Sequence, residues 1–330
     1  MTVLSVAFRQ LGAMAAAWRP FGLSGKTLGV LAVVGLVVAF SLSSTLVKRA
    51  DSPGVLVAFW RMVTVTIIWN GLLWSTGRRV TAANVRQVFL PGVFFGLNLA
   101  VFFAGATHNS VANAALIGSL APFLIVPAGA YVFREYIHPR ALLFAVLAFG
   151  GAALVLLSAP PNGDASLEGN VFGVIAMLLL VCYVVSIKHF RQEMDVTTFM
   201  ATICPIAAVA VLPIAVVHGD VFGMSGTGWT YMLILALTSG VMAQGLRVYA
   251  QNTIQIGTIA IAEVAQPALA VVWSFLLLGE VVNARQVTGI AIGMAALATF
   301  VLLHQRDGRA RGGETQQERA AAEPARGALV

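Results

Sequence analysis

Apolar residues in this chain come in runs of about twenty, each closed by a short polar break. Ten runs can be drawn, at 28–47, 54–75, 87–107, 111–133, 141–158, 170–187, 197–217, 229–251, 256–278 and 286–303. A helix rises about 1.5 Å per residue, so about twenty apolar residues match a bilayer core of about 30 Å. The pattern therefore predicts ten transmembrane helices. Most breaks are short and carry Gly, Pro, Asn or charge. The longest between spans, Ser158–Asn170, falls midway and divides the spans into two groups of five.

The second group repeats features of the first. Pro122, Glu135 and Arg140 stand 145 residues before Pro267, Glu280 and Arg285. Five spans per half is an odd number, so the second half must enter the membrane from the opposite side. The predicted architecture is an all-α polytopic membrane protein with ten transmembrane helices arranged as two inverted five-helix repeats. Its segments are an N-terminal cytoplasmic or interfacial stretch (1–27), a first repeat (28–158), an extracytoplasmic linker (159–169), a second repeat (170–304) and a disordered cytoplasmic tail (305–330). Leu4, Phe8, Leu11, Ala15 and Trp18 fall at helical spacing, which suits an interfacial helix or a loose tail. An inverted repeat is the architecture of alternating access, so a transporter is expected.

Composition agrees. Of 330 residues, 59% are hydrophobic and 10% charged, against about 25% charged in soluble domains. The net charge of +7 does not mark a nucleic-acid partner, because the basic residues lie in short loops and the tail. With the N-terminus inside, the inner segments hold Arg9, Arg19, Lys26, Arg78, Arg79, Arg86, Arg134, Arg140, Lys188, Arg191 and five tail arginines. The outer loops hold Lys48, Arg49 and Arg285. This bias predicts both termini cytoplasmic in a bacterial-type plasma (inner) membrane. Cys182 and Cys204 lie in apolar runs and read as packing residues. No sequence motif calls for a metal or cofactor.

Two five-helix halves, a proline mid-way in the fourth span of each, and a Glu at its end followed by a basic residue resemble the EamA-like drug/metabolite transporter family. Phe59-Trp60-Arg61 is similar to that family's aromatic-then-Arg pattern in the second span. The likeness covers about residues 28–304 and departs at Arg134-Glu135, where the family has Gly-Glu; Gly279-Glu280 fits. The resemblance implies export of a small metabolite, often an amino acid.

Three ionisable residues fall inside apolar runs: Arg61, Arg247 and Glu263. A mid-bilayer charge costs roughly 2.5–3.5 kcal/mol even on the lenient insertion scale, so such residues are candidates for substrate or ion contact. Arg247 and Glu263 sit at similar depth on adjacent spans, which permits an ion pair. By the repeat offset of 145 they correspond to Phe102 and Gly118, and by a similar offset of 144, set from Gly29 and Gly173, Arg61 corresponds to Pro205, so the shared fold does not itself require these charges. The bland alternatives are a structural pair or snorkelling arginines. Polar faces at helical spacing add Asn98, Phe102, Gly105 and Asn109 in span three, Gly240, Gln244, Arg247 and Gln251 in span eight, and Glu263, Gln266, Ala270 and Ser274 in span nine. Ser41, Ser44, Thr45 and Lys48 in span one read rather as helix–helix glue. The candidate substrate contacts are Trp60, Arg61, Asn98, Phe102, Gln244, Arg247 and Gln266. Arg61 and Arg247 would meet a carboxylate; Glu263 would meet an amine or carry a proton as coupling ion. A membrane enzyme is the rival class, but it needs paired acids, a nucleophile with its base or a metal cluster at one depth. A scaffold or sensor has no use for an inverted repeat.

Overall fold

The computed structural model describes residues 25–109, 166–190, 194–251, 262–263 and 265–279, with scattered positions between 113 and 132 and between 284 and 299. The expectations for Pro122, Glu135, Arg140, Glu280, Arg285, the N-terminal stretch, most of the linker and the tail lie outside these residues.

Every element among the described residues is helical. They are α1 (Gly25–Ser41), α2 (Ser43–Arg49), α3 (Gly54–Ser75), α4 (Ala82–Thr107), α5 (Leu167–Phe190), α6 (Val196–Val217), α7 (Gly226–Leu235), a π-helix (Ala236–Met242), α8 (Ala243–Gln251) and α9 (Gln266–Leu278). Six helices in these residues are long and apolar enough to cross a membrane, with α1 and α2 forming one and α7 to α8 another. These correspond to predicted spans one, two, three, six, seven and eight. The exterior is apolar as well as the core: Ile67, Val209, Val217, Phe275 and Leu276 are exposed. Water would not tolerate such a surface, and a bilayer does.

Local sequence fixes the helix ends. Thr81 caps α4 by accepting from the Asn84 N–H at 3.2 Å, so α4 begins five residues before the apolar run at 87. Its first turn, Ala82 to Arg86, is polar enough to sit above the lipid. Asp195 and Ser225 cap α6 and α7 in the same way, each satisfying a free N–H of the first turn. Pro267 lies in the first turn of α9, after a turn at Ala265. There its missing N–H leaves no bond unmade. Gly279 ends α9 in the left-handed conformation, φ 71°, which suits a glycine C-cap.

The packing is reciprocal between the halves. Span one lies on span eight, and span six on span three; span two lies on span seven. Exchanging spans one, two and three for six, seven and eight maps these three contacts onto one another. Span three meets spans two and seven closely enough to demand glycine. A Cβ at Gly54 would fall 2.2 Å from the Phe103 carbonyl oxygen, and one at Gly96 2.5 Å from that of Ala207. One apolar cluster, built on Ala32, Val33, Leu36, Val37 and Ala250 with Phe40, Leu246 and Leu269 against it, joins spans one, eight and nine. This junction surrounds the charges in the second half.

Candidate functional site

Arg247, on α8, forms an ion pair with Glu263, its Nη2 donating to Oε1. The guanidinium carbon lies 5.0 Å from the centre of the Phe40 ring of span one, within cation–π range. The Arg247 and Glu263 side chains keep 35% and 26% of their exposure. The pair is therefore neither sealed nor freely solvated. Arg247 Nε is buried without a partner. Span nine is tied to span one beside this junction, where Trp273 Nε1 donates to Ser41 Oγ at 2.9 Å. Gln244 and Gln266 are half-buried.

The first-half counterparts are also neighbours. A Cβ on Gly118 would lie 4.0 Å from Cε2 of Phe102. The offset of 145 residues thus links two pairs that each meet in space, one aromatic and glycine, the other cation and anion.

Arg61 occupies a second locus. It is buried, with 6% of its surface exposed. Its Nη2 donates to Ser239 Oγ at 3.0 Å, and its guanidinium carbon stands 5.5 Å from the centre of the Phe103 ring. Ser239 in turn donates to the Leu235 carbonyl at 3.0 Å. Arg61 Nε is buried with no partner, and no carboxylate among the described residues pairs with it. An arginine so placed carries a large desolvation cost with little compensation. Ser239 belongs to the π-helix, whose wider turn sets it and Gly240 against span two. Trp69 Nε1 lies 3.4 Å from the Gly240 carbonyl. Such single π turns interrupt α-helices mostly at functional sites.

The other predicted contacts are placed differently. Trp60 packs in an aromatic group with Trp229 and Phe222, ring centres 5.0 and 5.1 Å away, and its N–H donates to the Val221 carbonyl at 2.8 Å. Asn98 donates to the Ala176 carbonyl at 2.6 Å, which joins span three to span six. Asn109, on the same face, donates to Asn170 at 2.7 Å. This face binds helices together. Sequence reasoning missed Ser239 and the π-helix. Their only trace is the small polar run Thr238-Ser239-Gly240 within an apolar span.

At one end of the helices, Lys48 donates to the Asn109 carbonyl at 3.4 Å and Arg49 to that of Leu277 at 3.2 Å. At the opposite rim Arg78 grips Asp195 with two bonds, 2.8 and 3.3 Å. Burial pushes the Asp195 carboxyl up, but bonds from Thr198 and Arg78 outweigh it and hold the group below its ordinary value.

The EamA-like transporter family model matches residues 27–157 and 167–302. Over 302 residues, covering 86% of this chain and 92% of the relative, the chain is 24% identical to the uncharacterised transporter YxxF of Bacillus subtilis. Over 155 residues it is 27% identical to the pseudopaline exporter of Pseudomonas aeruginosa. That match spans 46% of this chain and about half, 53%, of the relative. A solved crystal structure at 17% identity shares the fold, with a TM-score of 0.58 over 86% of this chain and 99% of that one. The chain belongs to the EamA-like transporter family, in two copies of the repeat, and is a multi-pass membrane protein.

Proposed function

We propose that this EamA-like transporter is a proton-coupled secondary exporter of a small metabolite such as an amino acid. Its two repeats are inverted and rock about a shared path, opening it to each side in turn. It resides in a bacterial-type inner membrane with both termini cytoplasmic. The path runs past Arg61, Phe102, Gln244, Arg247 and Gln266, with Trp60 and Asn98 holding its walls, and Glu263 carries the coupling proton. The observation that carries this reading is the Arg247–Glu263 pair, set within the spans where the first repeat has Phe102 and Gly118.

A carboxylate held by a cation at a half-open site can exchange that partner for a proton. When Glu263 is ionised, Arg247 neutralises it and clamps span eight to span nine. When Glu263 is protonated, the clamp loses its charge and the helices can separate. Such a cycle links proton entry to the opening of one end. The name of the pseudopaline exporter supports the outward direction.

The test uses proteoliposomes with and without a pH gradient, for wild type, Glu263→Gln, Arg247→Gln and the double variant. Glu263→Gln should lose pH-driven accumulation at least tenfold while retaining substrate exchange. Full gradient-driven transport by the double variant would leave the pair as scaffolding and remove the proton from the mechanism.

A further inference from the structure

Two arginines lie within the spans, and among the described residues only one has an anion. Arg247 holds Glu263. Arg61 is more deeply buried yet has only neutral company: a hydroxyl oxygen, an aromatic face and a glycine backbone. A guanidinium has five N–H donors in a planar fork. Among the described residues Arg61 has one hydrogen-bond partner, Ser239, for Nη2, and its Nε is buried without any. Ser239 is itself oriented, donating to Leu235 and presenting a lone pair to Arg61. The hydroxyl and ring face aim the fork without neutralising it.

The π-helix backbone packs closely against Arg61. Ser239 and Gly240 belong to the π-helix. A Cβ on Gly240 would sit 3.8 Å from Arg61 Nε and 2.5 Å from a Val65 methyl. The absence of a side chain there lets backbone come close to the orphan Nε. On the other side stands the apolar face of Phe103.

We propose that Arg61 is the receiving group for a carboxylate of the transported molecule, which meets the guanidinium between span two and the π-helix with its apolar body against Phe103. A planar carboxylate accepts two parallel N–H bonds from such a fork. The inference rests on the transporter reading and assigns the anion to Arg61 rather than Arg247, whose charge is already matched. Ser239 is a positioning residue, since it acts by aiming the guanidinium. The bound anion supplies the counter-charge that the protein withholds, so substrate binding and stabilisation of span two against span eight occur together.

The probe is benzoate, whose ring suits Phe103, with benzamide as its neutral match. Purified full-length protein in detergent is melted in a titration of each. Benzoate should raise the melting temperature with dose, by mass action on the folded state, and benzamide should not. Arg61→Gln should weaken the apparent benzoate affinity at least tenfold. Arg61→Lys, with charge but no fork, should weaken it severalfold, and Ser239→Ala should do so less. Should Arg61→Gln fail to fold, the lysine and alanine variants decide the matter. Equal shifts from benzoate and benzamide, or benzoate binding that none of the Arg61 and Ser239 variants weakens, would overturn the proposal. Proteoliposome transport separates the two readings: transport without carboxylate selectivity removes only the Arg61 site, whereas carboxylate binding without transport of any tested metabolite counts against the transporter reading.

Discussion

Phe102 with Gly118 and Arg247 with Glu263 hold corresponding places in the two repeats, yet one pair is apolar and the other charged. Both make a contact between the third and fourth helices of their half. The first contact needs only shape: a ring edge approaches a position with no side chain. The second adds charge and, in the proposed cycle, couples the same contact to protonation. The fold therefore needs closure at both places but an ion pair at neither. A transporter built from inverted repeats must close each end in turn, and identical closures would answer identically to every signal. Placing a titratable pair in one half gives that end a response the other lacks.

The comparison breaks most sharply through the charges. Glu263→Gln alone leaves Arg247 without its anion, and Arg247→Gln alone leaves Glu263 without its cation. A fully buried pair broken on one side costs about 3–5 kcal/mol. That range is an upper bound here, because the side chains keep 35% and 26% of their exposure. Folded yield and melting temperature should fall in both single variants and largely recover in the double. Gly118→Ala makes the matching change in the other repeat. Its new methyl would meet Phe102 at 4.0 Å, an ordinary contact, so melting temperature and transport should stay near wild type. Equal loss from Gly118→Ala and Glu263→Gln would show that shape, not charge, matters at both places.

A smaller effect is expected at Trp273, whose bond to Ser41 fastens span nine to span one. The repeat offset sets Ala128 opposite it, which has no donor to offer. Trp273→Phe keeps most of the ring and removes the N–H, a loss of about 1 kcal/mol for one hydrogen bond. The melting temperature should drop by a few degrees, and pH-driven transport should change by less than at Glu263. A larger transport loss at Trp273 than at Glu263 would move the second-half specialisation from the ion pair to the aromatic tether.

Much of this was legible in the sequence, because hydropathy reports lipid contact directly. The run at 54–75 and helix α3 agree to the residue, and the shared depth of Arg247 and Glu263 predicted their pairing. The offset found from Pro122, Glu135 and Arg140 also gave Phe102 and Gly118 as the counterparts of the charged pair, and the structure makes them neighbours. What sequence could not give was direction around a helix. Asn98 looked like a cavity residue because its face carries amides, but that face meets span six. Trp60 adjoins Arg61 in sequence yet turns to Val221 and Trp229. The π-helix inserts a residue into the periodicity, so counting by 3.6 from Gln244 misplaces Ser239. The early start of α4 was hidden because capping by Thr81, not hydrophobicity, sets it.

The smallest effect belongs to the second Arg–carboxylate pair, Arg78 with Asp195, which measures what such a pair is worth in water. Its side chains are 49% and 45% exposed, and exposed pairs contribute about 0–1 kcal/mol. Asp195 also caps α6, bonding to the Thr198 N–H and hydroxyl. Because the folded protein holds its carboxyl below the ordinary value, the folded state favours the ionised form. That stability is fully present above the unfolded value of about 4. It is lost as pH falls toward and through the lower folded value, because the unfolded chain binds the proton first. Melting temperature should thus be insensitive to this group from pH 7 to about pH 5 and decline below that. Asp195→Asn keeps an acceptor for the helix cap and removes the charge, so it should lower stability at pH 7 by less than about 1 kcal/mol and flatten the acid limb. Added salt should weaken the wild-type contribution here while leaving the half-buried Arg247–Glu263 pair much less affected. If salt and acid instead moved the two pairs alike, the inner pair would be as solvated as the rim pair, and its claim to respond differently from Phe102 and Gly118 would lose its physical basis.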